Sequence, residues 1–401
     1  MTPIHRGMTA LLTLAAASCG TGVPHSGTWL ARTVSDTLTI LDIHEGWCSL
    51  DPASREGFRS DSNPGRAYVE VAAYRSVIES AVREAGYLET PRISSMQRSW
   101  LRTEAATAMR RILEAQETSL ISGEGLSSSV IRPDHRLWIS LSRSGFATAS
   151  MGPFLLFELP PDLAGSFGGA VPGTRADAGD GFIYLLDSVE TSLPEGPGMS
   201  LPGGVAVDTV SVPEIIQGRV RFRFCDELAR LWAGGTVGVD TVLMDGLASL
   251  YADQAPTGEL SGPLLVCGYG TWTPDEIAME VEFFRTRFPF TPSNRQWMRF
   301  VIDNILQQSL FAAMLQDSAP DAYDSLEMES KIYALSISFD AIRSDSVLSR
   351  LDPALAHDPA VVSRATDAWL SRTAGRYGLE LNEEALAALP VDPDGWVPFQ
   401  E

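Results

Sequence analysis

Apolar residues recur at three- and four-residue steps over several long stretches, which is the spacing of amphipathic helices. In the first of these stretches they are Val71, Tyr74, Ile78, Ala81 and Ala85. Asn63 and Pro64 precede this stretch as an N-cap and a first-turn proline, and Gly86 follows it as a stop signal. The pattern therefore predicts a helix that begins near Pro64 and ends before Gly86.

Further helices are predicted where a proline or a cap residue precedes the same spacing. They begin near Pro91, after Pro292 and Ser293, at Pro320 and after Asp358. Their apolar faces carry, in chain order, Ile93, Trp100, Leu101, Ala105, Ala108, Ile112, Trp297, Val301, Ile305, Ala312, Ile332, Leu335, Ile342, Val362, Ala365, Trp369 and Ala374. After the last helix the sequence predicts a short strand at 379–381 and a final helical turn capped by Asn382.

The middle of the chain has a different texture. From Ser122 to Gln217 glycine, proline and serine are dense, and helical spacing gives way to short apolar runs. These runs predict four strands, at 137–141, 154–159, 182–186 and 220–224. The Gly/Ala/Asp-rich stretch at 165–181 and the Pro/Gly-rich stretch at 192–204 predict loops. A β-rich insert is therefore expected between two helical parts.

Two passages of the sequence resemble each other and indicate an internal repeat. Leu30–Ile40 aligns with Leu228–Val239 across a single-residue gap, and each passage predicts a short strand, a polar turn and a second strand. A Gly-x-x-Ser-Leu motif follows each one, at 46–50 and 246–250. The spacing from Tyr68 to Pro91 and from Trp297 to Pro320 is 23 residues in both cases. A structural duplication explains these matches, and a chance likeness of two helical hairpins is the alternative.

These patterns predict an α+β fold that is mainly α. Two helical units with short strand pairs flank a small β-rich insert. The predicted segments are a lipoprotein signal peptide at 1–19, a linker at 20–29, helical unit 1 at 30–120, the Gly/Pro-rich insert at 121–226, helical unit 2 at 227–350, and a C-terminal helix and tail at 351–401.

Composition and charge restrict the partners. The chain has 401 residues, of which 44% are hydrophobic, so it has enough apolar material for packed domains. Acidic residues number 51 against 30 basic ones, the formal net charge is −21, and Lys331 is the only lysine. Without a cationic tract, a chain this acidic is not expected to bind nucleic acid or an anionic membrane surface.

The N-terminus predicts the compartment. Arg6 and the short apolar segment at 8–17 are typical of a secretory signal, and the segment is too short to span a bilayer. The segment ends in Ala-Ala-Ser before Cys19, which resembles a bacterial lipobox with Ala16 where leucine is usual. The resemblance implies lipidation of Cys19, and Gly20 after it implies the outer membrane. The expected location is the cell envelope, periplasmic and lipid-anchored, with the lipid as the only membrane contact; cleavage of an ordinary signal near residue 17 is the alternative.

The remaining cysteines and histidines predict no metal or cofactor. Lipidation of Cys19 leaves Cys48, Cys225 and Cys267. Three cysteines form either one disulfide and one free thiol or three inert, buried thiols, and the second arrangement is favoured. The sequence does not decide whether Cys225 and Cys267 form a disulfide. The sequence has no Cys-x-x-Cys motif and no Cys/His cluster, so neither a zinc site nor another cofactor is expected.

A family resemblance follows from the strand-turn-strand passages and the helices after them. The N-terminal chaperone module of SurA/PpiC/PrsA-type peptidyl-prolyl isomerases begins with strands of the form Val-Ala-x-Val-Asn-Gly-x-x-Ile-Thr. Here the passage from Leu30 to Thr39 stands in that place, and the passage from Leu228 to Gly238 repeats it. The helix that ends at Ala85-Gly86-Tyr87, the proline at 91 and the segment before Asn382 also resemble this family. The resemblance covers about 250 residues.

The resemblance implies that a catalytic parvulin domain lies between the helical parts. His135 to Ile139 is similar to the first parvulin strand, and Gly181 to Leu185 is similar to the last, with Ile183 in place of the second histidine. Gly168-Gly169 stands at the central motif. His135 is therefore the one catalytic candidate. The insert is either a degenerate parvulin domain or an unrelated β-rich insert.

Three functions remain open. The resemblance implies an envelope chaperone that binds unfolded or extended polypeptides of secreted or outer-membrane proteins. It leaves open whether the protein is an enzyme, and if it is one, the reaction is peptidyl-prolyl cis-trans isomerisation. A non-catalytic scaffold lipoprotein of an envelope assembly is the third function. The phenylalanines at 283, 284, 288 and 290 either pack in the core or contact a client.

Overall fold

The computed structural model describes residues 28–124, 129–131, 136–143, 146–177, 179, 181–190, 209–256, 259–287 and 291–388. This part of the chain contains 12 α-helices and a few small antiparallel sheets. The predicted class, α+β and mainly α, is confirmed. The predicted signal peptide and most of the predicted linker lie outside the described residues.

The helices of the described residues are numbered in chain order. They are α1 Ile40–Ser49, α2 Pro52–Arg59, α3 Pro64–Glu84, α4 Pro91–Glu124, α5 Pro161–Phe167, α6 Val212–Ala233, α7 Thr241–Tyr251, α8 Pro274–Arg287, α9 Arg295–Ser318, α10 Pro320–Ser346, α11 Pro359–Arg376 and α12 Glu383–Ala388. None of the helices in the described ranges is both long and apolar enough to cross a membrane.

The strands form small antiparallel sheets. They are β1 Trp29–Arg32, β2 Thr37–Thr39, β3 Ser129–Ile131, β4 Arg136–Arg143, β5 Phe146–Leu155, β6 Arg175–Asp177, β7 Ile183–Glu190, β8 Thr209–Ser211, β9 Gly238–Val239, β10 Leu265–Cys267, β11 Gly270–Trp272 and β12 Glu380–Leu381. The sheet orders are β12-β1-β2, β11-β10-β9, β3-β8 and β5-β4-β7-β6.

The chain divides into two compact units, one within Met1–Leu101 and Asp324–Glu401 and the other within Arg102–Tyr323. Both boundaries fall inside long helices, the first in α4 and the second in α10. The segments predicted from the sequence, at 30–120, 121–226, 227–350 and 351–401, have their boundaries at other positions. That division stays a prediction.

The first unit joins distant parts of the chain through a three-stranded sheet. β1 pairs with β2 on one side and with β12 on the other, so that Ala31 lies opposite both Leu38 and Leu381. Asn382 fixes this junction, because its side-chain amide donates to the carbonyl of Trp29 at 3.0 Å. Its side-chain oxygen also accepts from the backbone of Ala385 at 3.1 Å, which confirms the predicted cap of α12.

Local capping explains where the helices of the first unit begin and end. Thr39 and Asp42 form a reciprocal capping box at the start of α1, with the Thr39 amide donating to the Asp42 carboxylate at 2.8 Å. The Asn63 side chain accepts from the Arg66 amide at 3.0 Å at the start of α3. Gly86 has a φ of 71°, the left-handed conformation that ends a helix. The predicted limits of α3 are therefore confirmed.

The core of the first unit contains an aromatic cluster. Trp47, Phe58 and Tyr68 are buried, and the Tyr68 ring centroid lies 5.3 Å from each of the other two. The Tyr68 hydroxyl is buried and has no hydrogen-bond partner among the described residues. Burial also raises the pKa of this hydroxyl above its ordinary value. The cluster thus contains one polar group that its packing leaves unsatisfied.

The second unit is built around the four-stranded sheet and α6. Phe222 of α6 packs edge-on against Phe154 of β5, with ring centroids 5.1 Å apart. Gly218 allows a close approach on the same helix, because a Cβ there would lie 2.5 Å from Cγ of Glu158. Helix α6 therefore lies tightly against the sheet and the turn before α5.

A second core of this unit joins α7, α8, α9 and the β9–β11 sheet. Its buried members are Leu243, Met244, Leu247, Ala248, Leu264, Leu265, Ile277, Val281, Met298, Val301, Ile302, Ile305 and Leu306. Nearby in α8 lies Glu280, which is 2% exposed and accepts from Arg102 of α4 at 2.5 Å. This ion pair is buried on both sides, since the Arg102 side chain is 10% exposed.

Two predicted strands were wrong. The residues at 220–224 lie inside α6, and so do those from Leu228 to Trp232. The buried positions Ile215, Phe222 and Ala229 recur at seven-residue intervals, which is a helical repeat that a five-residue window cannot show. The strand predicted at 154–159 overlaps β5 only at its first two residues, because Leu156–Glu158 forms a 3₁₀ turn.

The later elements of the predicted repeat have counterparts in both copies, but its first strand does not. Each copy has a short strand followed by a helix, which is β2 with α1 in the first copy and β9 with α7 in the second. Later in each copy a proline begins a long helix, which is α4 in the first copy and α10 in the second. The first strand, β1, has no counterpart in the second copy, which has helix α6 there. The environments differ as well, since Tyr68 is buried whereas Trp297 is 47% exposed. The duplication stays a prediction.

Candidate functional site

The second unit contains a groove of about 530 Å³ between α4, α5 and α6. It is lined by Glu117, Leu120, Pro160, Pro161, Asp162, Leu163, Tyr184, Arg219, Phe222, Arg223, Asp226, Glu227 and Arg230. The volume lies in the range of ligand-binding clefts, and the lining combines apolar walls with charged groups, as such clefts do. We call this feature the α6 groove.

The floor of the groove is one face of α6. Arg219, Arg223, Asp226 and Arg230 follow one another at steps of four, three and four residues, so their side chains lie along one side of the helix. At 1.5 Å per residue this face is about 16 Å long. An extended chain rises about 3.3 Å per residue, so the face has the length of about five extended residues.

The walls are mostly apolar. Pro160, Pro161 and Leu163 form the wall at the start of α5, and Leu120 projects from the last turns of α4. Leu120 is 59% exposed, which is high for a leucine in a helix and leaves its side chain available to a ligand. The groove therefore offers apolar contact from both of its sides.

Glu158 holds the α5 wall against α6. Its carboxylate accepts from the backbone of Leu155 at 2.9 Å and from the guanidinium of Arg221 at 2.7 Å. Arg221 also donates to the carbonyl of Pro153 at 3.0 Å. These contacts fix the turn that leads into Pro160 and Pro161, so the wall is positioned by side chains of the floor helix itself.

A polar cluster occupies one end of the groove. The Tyr184 hydroxyl of β7 donates to Asp226 at 2.8 Å, and Arg230 donates to the other oxygen of that carboxylate at 2.9 Å. Arg230 also contacts the Tyr184 hydroxyl and lies over the ring of Phe182 at 5.1 Å. Tyr184 and Asp226 are buried, so the cluster is a fixed polar end wall.

The opposite end is closed by Arg219. This buried arginine lies 3.9 Å from Glu117 of α4 and donates to the carbonyl of Phe157 at 3.3 Å. Arg223 lies between the two ends and is half-buried. Among the described residues it has neither an ion pair nor a hydrogen-bond partner. The groove thus presents one uncommitted cation near its middle.

The groove combines apolar walls with charged and phenolic side chains. Its hydrogen-bonding groups are guanidinium, carboxylate and phenol groups, and none of its lining residues is a serine, cysteine or histidine. In the described ranges no group of three or more His, Cys, Asp or Glu side chains is placed to hold a metal ion. What the geometry provides is apolar contact with flanking donors and acceptors.

The structure does not describe the predicted site residues. His135 and Cys19 are both outside the described residues, so catalysis by His135 and lipidation of Cys19 stay predictions. β4 begins at Arg136, which lies opposite Glu190 of β7, whereas Ile183 lies opposite Ser142 at the other end of the same pairing. Six residues of strand separate these two ends by roughly 20 Å. The structure therefore does not bring Ile183 close to Arg136, the residue that follows His135.

The three cysteines of the described part are free thiols, so no bridge joins Cys225 and Cys267. Burial raises the pKa of the Cys225 thiol, as predicted for an inert cysteine. Cys48 differs from the prediction, because it is exposed and its Sγ lies 3.6 Å from Nε2 of His44. The sequence signal was their four-residue spacing, which places both on one face of α1.

Of the four phenylalanines at 283, 284, 288 and 290, the structure describes the first two. Phe283 is buried, and Phe284 packs on the core that joins α7, α8 and α9, so these two rings serve the core. The phenylalanines at 288 and 290 lie outside the described residues. Exposed aromatic rings instead occur at the start of α9, where Trp297 and Phe300 are 47% and 51% exposed with centroids 6.0 Å apart.

Comparison with known proteins gives no family for this chain. No protein-family model matches it, and no significant match was found among curated proteins or solved structures. The groove is therefore the feature from which a function can be inferred.

Proposed function

We propose that this protein is an envelope lipoprotein, anchored by a lipid on Cys19, that binds extended or unfolded polypeptides as a chaperone. The observation that carries the proposal is the α6 groove, with apolar walls and a charged floor. Its floor has the length of about five extended residues. The clients are secreted or outer-membrane polypeptides, in keeping with the signal sequence and the resemblance to SurA/PpiC/PrsA-type proteins.

An extended polypeptide suits this groove because its side chains and its backbone need different partners. Alternate side chains of an extended chain point to opposite sides, where Leu120 and the Pro160–Leu163 wall would contact them. Backbone carbonyls need donors, which guanidinium groups on the floor supply, and backbone amides need acceptors, which the carboxylates supply. A purely apolar cleft would leave these backbone groups unsatisfied.

The exposed aromatic pair Trp297 and Phe300 is a second apolar surface on the same unit. Aromatic side chains are enriched where proteins contact other polypeptides, because they bury a large area and lose little conformational freedom. A chaperone that holds a long client needs more than one such contact.

Binding in the groove is tested with the mature chain and fluorescein-labelled apolar heptapeptides by fluorescence anisotropy. The test variant is Leu120→Gln, and the matched control is Val242→Gln, at a valine that is 66% exposed on α7. Glutamine is a good helix former, so neither change should unfold its helix. Burying most of a leucine is worth about 1 kcal/mol, so L120Q should weaken binding about fivefold and V242Q should leave it unchanged. Equal affinity of L120Q and wild type would contradict the role of the groove.

Two further assays separate this function from its alternatives. The protein at molar excess should suppress the aggregation of a denatured outer-membrane protein, whereas a scaffold lipoprotein would have no effect. A prolyl-peptide assay tests isomerase activity independently. A rate of cis-to-trans conversion equal to that in buffer would remove the isomerase alternative and leave the holdase proposal intact.

A further inference from the structure

The three arginines on the floor of the α6 groove are not equivalent. Arg219 is engaged by Glu117 and by the carbonyl of Phe157, and Arg230 by Asp226. Arg223 lies between them, is half-buried, and has no ion pair or hydrogen bond within the described part of the chain. The described residues therefore hold the Arg223 guanidinium in the middle of the groove without giving it a partner.

A half-buried guanidinium without a partner has lost part of its hydration and has gained no hydrogen bonds in return. An anion that enters the groove would supply the missing hydrogen bonds and offset the lost hydration. A carboxylate matches the planar fork of arginine and accepts two parallel hydrogen bonds from it, which makes this pair stronger than a neutral hydrogen bond. Arg223 is thus a specific position for a carboxylate.

Because of the surrounding charges, an anion binds here only through a direct ion pair with Arg223. Glu117 lies beside Arg219, and Asp226 is paired with Arg230, whereas Asp162 is exposed at the rim and Glu227 lies one turn from Arg223. With a net charge of −21 on the whole chain, long-range attraction of an anion is not expected. A carboxylate is therefore attracted only when it contacts the Arg223 guanidinium directly.

We propose that the α6 groove selects polypeptide segments that carry a carboxylate among apolar residues, and that Arg223 is the residue that determines this specificity. The inference rests on the proposed function, since it names the substrate class of the same groove. The carboxylate comes either from an Asp or Glu side chain within the segment or from the free C-terminus of a polypeptide.

The test uses one apolar, N-acetylated and unlabelled heptapeptide sequence in three forms and measures dissociation constants with the mature chain by isothermal titration calorimetry. The first form has a central Glu and an amidated C-terminus, the second has Gln in place of Glu, and the third has the Gln and a free C-terminal carboxylate. Wild type should bind at least one of the two acidic forms about tenfold more tightly than the neutral form. Whichever acidic form is preferred identifies the source of the carboxylate.

Variants assign the preference to Arg223. Arg223→Gln should bind all three forms equally, and Arg223→Lys should keep only part of the preference, because lysine cannot form the bidentate pair. The matched control is Arg285→Gln, which removes one exposed arginine of the same unit outside the groove and should behave as wild type.

The outcomes distinguish this inference from the proposed function. Equal binding of all three forms to wild type would overturn the carboxylate specificity and leave polypeptide binding in place. A preference that persists in R223Q would overturn the role of Arg223. If no form binds to wild type at all, the proposed function itself fails and the inference falls with it.

Discussion

The buried ion pair between Arg102 and Glu280 yields the sharpest prediction about stability. The pair joins α4 to α8 within the second unit, and the two side chains are 10% and 2% exposed. The Nε of Arg102 has no hydrogen-bond partner among the described residues, so the pair is not fully satisfied. We consider the two single variants Glu280→Gln and Arg102→Met, and the double variant that replaces both residues by methionine.

The magnitudes follow from what each change leaves behind. Removing one partner of a buried pair costs about 3–5 kcal/mol, because the other charge stays buried without compensation. Glu280→Gln leaves an arginine that reaches water in part, so its cost should be near 3 kcal/mol. Arg102→Met leaves the more deeply buried carboxylate, so its cost should be near 5 kcal/mol. The double variant removes both charges and should be within about 1 kcal/mol of wild type, or more stable.

Urea unfolding followed by circular dichroism measures these free energies. In a unit of this size each kcal/mol corresponds to about 2–4 °C in Tm, so E280Q should melt about 6–12 °C below wild type. The reasoning is refuted if each single change costs less than about 1 kcal/mol, or if the double variant loses as much as the two single variants together. Either result would mean that the pair is hydrated in solution.

Three further predictions concern single groups. Tyr68→Phe should stabilise the first unit by about 1 kcal/mol, because it removes a buried hydroxyl without a described partner; a lower Tm would show that the hydroxyl has a partner in solution. Ellman's reagent at pH 8 should modify Cys48 more than tenfold faster than Cys225, whose pKa is raised by burial. Equal rates, assigned with single Cys→Ser variants, would contradict this difference. Gly218→Ala should cost about 1–2 kcal/mol because its Cβ would meet Glu158. Gly375→Ala, in a helix with open space around it, should instead add about 0.5–1 kcal/mol, and the same sign for both would show that the contact at 218 is not tight.

Helix starts and stops were predictable because they depend on neighbouring residues. Asn63 with Pro64, Gly86 and Asn382 each act within one turn of their own position, and the structure confirms all of these caps. The error at α6 has the opposite origin. A short apolar run is compatible with a strand or with a buried helix, and the helical repeat at 215, 222 and 229 becomes apparent only over a window longer than the run itself.

The groove could not be predicted from the sequence, because its residues come from distant parts of the chain. Leu120, the proline pair at 160–161 and Tyr184 line one groove only because α6 lies between them. The arginines and acids of α6 share one face only at helical spacing, whereas the sequence predicts a strand at 220–224. The wrong strand prediction therefore hides the floor of the groove in addition to its distant walls.

The same contacts that build the groove also determine how it would bind. Helix α6 is fixed on one side by Glu158 and Arg221 and on the other by the Tyr184–Asp226 hydrogen bond. The floor is therefore ordered before a ligand arrives, and for the proposed polypeptide client the cost of ordering would fall on the client alone. A segment of about five residues that loses its conformational freedom in this way retains only modest affinity, about micromolar to millimolar. Weak binding of short segments, with the proposed carboxylate contact to set the register, would let the proposed chaperone hold many sequences and still release them.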